Sequence, residues 1–266
     1  MKFKKLLNAA VCAGVLVTGS AMATPFVINA DDFRAPLVGP APFGPTDGLT
    51  GLITQLGLNW SATSTFTDDN GLAGINFGDS VLDTGVGSVN SYLDDNAQAL
   101  SGFEANEGLN SLYTLNFSYT DLVGSVLFND GAGGILAEYT SGTISVYYNN
   151  NPLNEILRLS VTGSDGTVGN LLLFATVESV AADTFFFNGI SDWAGLDVVI
   201  NSRIDFNLDP IVPVLIGQNG AGQDLYRRTA TLDGSAAFDV PEPGMLALLG
   251  LGLVGLGAAR RFKKTA

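Results

Sequence analysis

Carboxylates are the only abundant reactive side chains in this sequence. Asp and Glu number 26 against 12 Lys and Arg, there is no histidine, and the one cysteine is Cys12. Without imidazole, a Ser-His-Asp triad, a Cys-His dyad, a histidine metal centre and a histidine pH switch are all excluded. Neither a Walker A loop nor a G-x-S-x-G elbow occurs. Three acidic pairs stand out: Asp31-Asp32, Asp68-Asp69 and Asp94-Asp95. Such pairs ordinarily build turns, because an Asp side chain accepts the backbone N–H two residues on. Calcium ligation is the alternative, since Ca²⁺ takes oxygen ligands from flexible Asp/Asn/Gly loops. Asp68, Asp69 and Asn70 with Asn129, Asp130 or Asp165 are the candidate ligands, although none completes a D-x-[DN]-x-[DN]-G loop. A glycosidase needs two carboxylates about 5–10 Å apart across a cleft, and spacing in this chain singles out no such pair. The chain is therefore expected not to be an enzyme and to need no cofactor, with calcium as the alternative. Trp60, Trp193 and the run Phe185-Phe186-Phe187 offer a sugar-stacking surface, against the simpler role of plugging a core.

The elements that must position these residues read as strands. Short segments rich in Thr, Val and aromatics recur between Gly/Asp/Asn turns: 26–29, 58–67, 73–77, 112–119, 122–128, 143–148, 155–162, 170–177, 196–207, 225–232 and 236–240. In Leu112–Tyr119, Tyr113, Leu115, Phe117 and Tyr119 share one face, as in a strand with one side buried. Asp68-Asp69-Asn70-Gly71, Asn129-Asp130-Gly131, the NNNP run and the GSDG run read as turns, and Asp94 to Leu100 as a short helix. The pattern predicts an all-β fold, an antiparallel β-sandwich of jelly-roll-like form, over residues 24–239. No fixed-period repeat supports a solenoid or a calcium-binding β-roll.

Both ends differ from this middle. Lys2, Lys4 and Lys5 precede an apolar stretch from Leu6 to Gly19, and Ala21-Met22-Ala23 forms a small-x-small cleavage site, so residues 1–23 read as a signal peptide. At the other end, Pro241-Glu242-Pro243 stops any strand or helix. Uncharged Gly244 to Ala259 follows, then Arg260, Arg261, Lys263 and Lys264. A helix over 244–259 would rise about 24 Å, slightly short of a roughly 30 Å hydrocarbon layer, so it reads as a short membrane helix. Gly250-Leu251-Gly252-Leu253-Val254-Gly255 fits G-x-G-x-x-G but follows no strand, which removes the dinucleotide reading. Cations at both ends place both termini on the cytoplasmic side and the middle outside. That middle, Thr24 to Pro243, holds five arginines, no lysine, no cysteine and all 26 carboxylates, for a net charge of −21. Such a surface repels nucleic acid and anionic lipid and attracts cations. Its stability must come without disulfides.

The order Pro-Glu-Pro, short hydrophobic helix, arginine-led basic end resembles the PEP-CTERM sorting signal of Gram-negative bacteria, over Val240 to Lys264. The resemblance implies that an exosortase recognises Pro241, Glu242 and Pro243 and removes the tail. It also implies export to the cell surface or extracellular matrix, with signal peptidase, exosortase and exopolysaccharide as partners. The start TPFVINADDF and the end RRTATLDGSAAFDVPEP are similar to the flocculation-associated type within that group. That similarity implies a role in floc or biofilm formation, with a calcium-assisted, lectin-like carbohydrate-binding module as the alternative.

Overall fold

A computed structural model describes residues 25–31, 48–186, 197–204 and 211–239. The expected signal segment, the Pro-rich segment from Asp32, Phe187, Trp193 and the tail from Val240 lie outside the described residues. The strands are β1 (Val27–Ile28), β2 (Gln55–Thr67), β3 (Ser80–Leu93), β4 (Leu115–Asn129), β5 (Ile135–Tyr148), β6 (Glu155–Thr167), β7 (Asn170–Val180), β8 (Phe185–Phe186), β9 (Asp197–Ile204), β10 (Val214–Gln218) and β11 (Asp224–Asp239). One short helix, α1 (Phe103–Asn106), joins β3 to β4.

The fold is all-β and antiparallel, as the alternating segments require. Its arrangement differs from a jelly roll, in which two sheets face each other through Greek-key crossovers. Here β2 to β7 pair in chain order, β9 follows β7, and β11 pairs with both β2 and β9. Eight strands thus close on themselves as an up-and-down barrel, with β10 added beside the start of β11. Closure leaves the strands of the ring without free edges, which turn spacing alone does not reveal.

Alternation sorts side chains to the two sides of this wall. Leu56, Leu58, Trp60, Ala62 and Phe66 of β2, Leu115, Phe117 and Tyr119 of β4, Leu157, Leu159 and Val161 of β6, and Ala230, Leu232 and Phe238 of β11 are buried in the lumen. The outer positions of β2 and β11 are polar: Asn59, Ser61, Thr63, Thr65, Arg227, Thr229, Thr231 and Asp233. Thr63 and Thr229 face each other across the ladder with their hydroxyl oxygens 3.1 Å apart. On β2 and β11, apolar inward and largely hydroxyl-bearing outward positions are the reverse of the pattern of a lipid-facing strand.

Ser80–Leu93, a Gly/Ser/Asp-rich stretch in which the sequence pattern marks no strand, is β3, and Ala73–Phe77, expected as a strand, lies in the β2–β3 loop. Composition misleads here because β3 passes between the largest lumen side chains. Gly87 pairs with Trp60 on one side and Phe117 on the other, and those two rings meet across it at 5.9 Å in a tilted edge contact. A Cβ at Gly87 would stand 2.6 Å from the Asn59 carbonyl oxygen and 2.6 Å from Phe117 Cζ. Glycine is thus placed by the close approach of its neighbours.

Residues 115–119 of the first expected segment and all of 122–128 belong to one long strand, β4, whose lumen side changes parity at a register shift between Ser118 and Val123. The GSDG run lies within β6, so the chain reverses beyond Thr167 and not before it. Asp94 to Leu100 is a turn region: Asp94 Oδ1 accepts N–H bonds from Asn96 and Gln98, each at 2.9 Å. These local bonds compete with a helix and win.

A small second layer covers one end of the barrel. β1 pairs with β8, and Phe26 bridges to Ile53. Phe26 packs against Phe185 at 6.4 Å and Phe238 at 5.1 Å, all three rings buried. Phe185 is therefore a plug of the core, and Trp60 lies inside the lumen, so neither forms a sugar-stacking surface.

Candidate functional site

Pro241, Glu242, Pro243, Arg260, Arg261, Lys263, Lys264, Ala21 and Ala23 all lie outside the described residues. Among the described residues, polar chemistry collects in three places: the β2–β3 loop, the lumen beside it, and a cleft at the same end.

The β2–β3 loop contains Asp68, Asp69, Asn70 and the fully buried Asp79. Asp79 Oδ1 accepts from the Asp69 N–H at 3.2 Å and Asn70 Nδ2 at 2.9 Å, while Oδ2 accepts from the Asn76 N–H at 2.6 Å. Asp68 Oδ1 accepts from the N–H groups of Asn70 and Gly71. Asp69 accepts from the N–H and hydroxyl of Ser80 and from Gln223 Nε2 at 2.8 Å. Burial raises the Asp79 carboxyl above its ordinary value, with the neighbouring Asp68 and Asp69 charges adding to it. The Ser80 hydroxyl lowers that of Asp69.

Asn129 Nδ2 donates to the Ile75 carbonyl at 2.8 Å, joining the β4–β5 turn to this loop. Asp130 Oδ1 accepts from the N–H groups of Ala132 and Gly134. Asp165 Oδ1 accepts from the N–H of Gly166 at 2.7 Å. The candidate calcium ligands thus spend oxygens on backbone donors, the structural role of acidic turns. No group of three or more His, Cys, Asp or Glu placed to hold a metal ion occurs among the described residues.

Inside the lumen, Asp83 of β3 is a site residue that sequence reasoning missed. Its Oδ2 accepts the Tyr139 hydroxyl at 2.8 Å and the Ser64 hydroxyl at 2.9 Å, whereas its buried Oδ1 has no partner. Burial pushes the Asp83 carboxyl up, against the pull of its two hydroxyl donors and the Arg228 guanidinium. Burial also raises the Tyr139 hydroxyl and lowers Arg228. Arg228 lies 5.5 Å above the Phe66 ring and donates to the Gly133 carbonyl at 3.4 Å. A cavity of about 60 Å³ beside Asp83, Tyr119, Tyr139 and Arg228 has room for about two waters. Alternation would have turned Asp83 inward with Val81, but an isolated aspartate in a Gly/Ser-rich stretch gives no signal of its own.

A wider cleft of about 510 Å³ opens between the β2–β3 loop, the β4–β5 turn and the approach to β10. Its walls include Ile75, Asp130, Gly131, Val212, Pro213 and Tyr226.

These features define a β-barrel scaffold with a lumen that is apolar except around Asp83 and Arg228, hydroxyl-rich outer faces on β2 and β11, and acidic turns engaged in holding loops. The chain carries a PEP-CTERM protein-sorting motif, matched over residues 239–261. It is accordingly an exported protein, processed by an exosortase and sorted to the cell envelope or surface. No curated protein and no solved structure matches the chain.

Proposed function

We propose that the barrel is a non-catalytic surface or matrix protein that associates with extracellular polysaccharide and promotes cell aggregation, as in a floc or biofilm. The sorting motif at residues 239–261 carries this reading, because it marks the protein for delivery outside the inner membrane. Residues 1–23 serve as the cleaved signal, and the tail holds the chain transiently in that membrane. The acidity of the exported part and the outward Ser and Thr of β2 and β11 support association with hydrated polymer over insertion in lipid. Asp83 is the one carboxylate among the described residues that lines the lumen cavity, whose 60 Å³ admits no sugar ring; this favours a binding role over glycoside hydrolysis.

The test is fractionation of cells with mass measurement of the protein in each fraction. Tail-less protein in the extracellular matrix is expected, together with reduced aggregation when the gene is deleted. Full-length protein confined to the inner membrane, or aggregation unchanged by the deletion, would overturn the proposal.

A further inference from the structure

We infer that the cleft between the β2–β3 loop, the β4–β5 turn and the approach to β10 is a binding site for neutral sugar units of a polysaccharide. Its volume of about 510 Å³ falls within the roughly 300–1,000 Å³ range of small-ligand sites. The polar groups on its wall have a definite remaining capacity. Asp130 Oδ1 takes the N–H groups of Ala132 at 2.7 Å and Gly134 at 2.8 Å, so Oδ2 is the oxygen left to accept from a ligand. The Tyr226 hydroxyl oxygen accepts the N–H of Gly74 at 3.1 Å, leaving its own hydrogen to donate. Asn129 Oδ1 accepts the Gly131 N–H and Nδ2 donates to the Ile75 carbonyl, which fixes the two loops against each other and leaves one amide hydrogen and one oxygen lone pair.

The ligand must therefore bring a donor for Asp130, an acceptor for Tyr226, and aliphatic surface for Ile75, Val212 and Pro213. A sugar ring meets all three needs, because each hydroxyl both donates and accepts and the ring faces carry C–H groups. Anions are disfavoured by Asp130 and by the acidity of the whole exported part. The neighbouring wall is open: a Cβ at Gly74 or Gly131 would meet nothing within 4 Å. This inference deepens the matrix reading and rests on it for the nature of the polymer, while the site stands on the cleft's own chemistry.

The test is titration calorimetry of the purified full chain with four probes: neutral trisaccharides of glucose and of N-acetylglucosamine, the amine-bearing trisaccharide of glucosamine, and the anionic trisaccharide of galacturonate. Binding of a neutral probe is expected, with affinity falling on the order of tenfold or more in Asp130→Asn, whose carbonyl oxygen still accepts both turn N–H groups. Val212→Trp, at a position 55% exposed on the cleft wall, should abolish binding without altering the unfolding temperature. Binding of only the amine-bearing probe would make the cleft a cation site and overturn the inference, as would equal binding of the anionic probe or no binding at all. Neutral binding unaffected by either variant would overturn the site and leave the matrix reading standing. Unchanged aggregation in the deletion strain would count against the matrix reading alone.

Discussion

Replacing Gly87 by alanine tests the packing of the barrel at its tightest point. The new Cβ would overlap Trp60 Cβ and lie 2.6 Å from both the Asn59 carbonyl oxygen and Phe117 Cζ. Two of these three atoms belong to the β2 backbone or its first side-chain carbon, so no rotamer change relieves them. Overpacking of this kind costs about 1–3 kcal/mol. Forcing the Trp60 and Phe117 rings apart removes about 0.5–1.5 kcal/mol more from their edge contact. The expected destabilisation is therefore about 2–4 kcal/mol, a fall in unfolding temperature of about 5–15 °C for a domain of this size.

Urea and thermal unfolding followed by tryptophan fluorescence measure it, since Trp60 sits at the perturbed contact. Gly163→Ala is the internal control, because a Cβ there meets only Phe174 Cδ2 at an ordinary 4.0 Å. Adding Phe117→Leu to Gly87→Ala should restore only part of the loss, as the Asn59 and Trp60 overlaps remain. Stability of Gly87→Ala within about 0.5 kcal/mol of the parent, the usual range of a neutral surface change, would refute the account of β3.

Two further outcomes follow from buried groups. Asp83 holds its proton to a higher pH in the folded barrel than in the unfolded chain, so folding takes up protons and the parent gains stability as pH falls from neutrality toward the ordinary Asp value of 3.8. Asp83→Asn removes that gain, so urea unfolding at pH 7 and pH 5 should show the parent improving relative to the variant at the lower pH; a difference independent of pH would exclude the effect. Phe26→Ala should cost about 3–5 kcal/mol, because the ring is buried between Phe185 and Phe238. A loss below about 1 kcal/mol in denaturant unfolding would mean that the β1–β8 layer adds nothing to the barrel.

Strands built from branched and aromatic residues were legible in the sequence: β4, β6, β7 and much of β2 and β11 follow the alternation of their own side chains. β3 was not, because its inward positions carry Gly85 and Asp83, small or polar only because Tyr119, Tyr139 and Trp60 fill the space opposite. That reason lies on other strands. Closure was hidden too, since each hairpin looks the same in a sandwich and in a barrel, and only the pairing of β11 with β9 and β2 separates them. The acidic turns were legible as turns through the Asx pattern. Their convergence with Tyr226 and Val212 on one cleft was not, because β10 and β11 lie far along the chain from the β2–β3 loop. The Pro-Glu-Pro tail needs no fold to be read, and it is the part that the family comparison recovers.

The chain-order pairing of β2 to β7 also governs when the barrel can form. Each of those strands finds its partner next in sequence, a short loop search that can proceed as the chain emerges. The seam differs, for β2 must wait for Leu225–Ala237, far along the chain. Contacts of such long sequence separation are the slow ones. Until then an open sheet presents β2 as an unpaired edge, with apolar inner faces and no disulfide to hold intermediates. β11 ends at Asp239, where the sorting motif begins. Delivery of the closing strand and of the sorting motif is therefore nearly one event, and the edge disappears as the motif arrives.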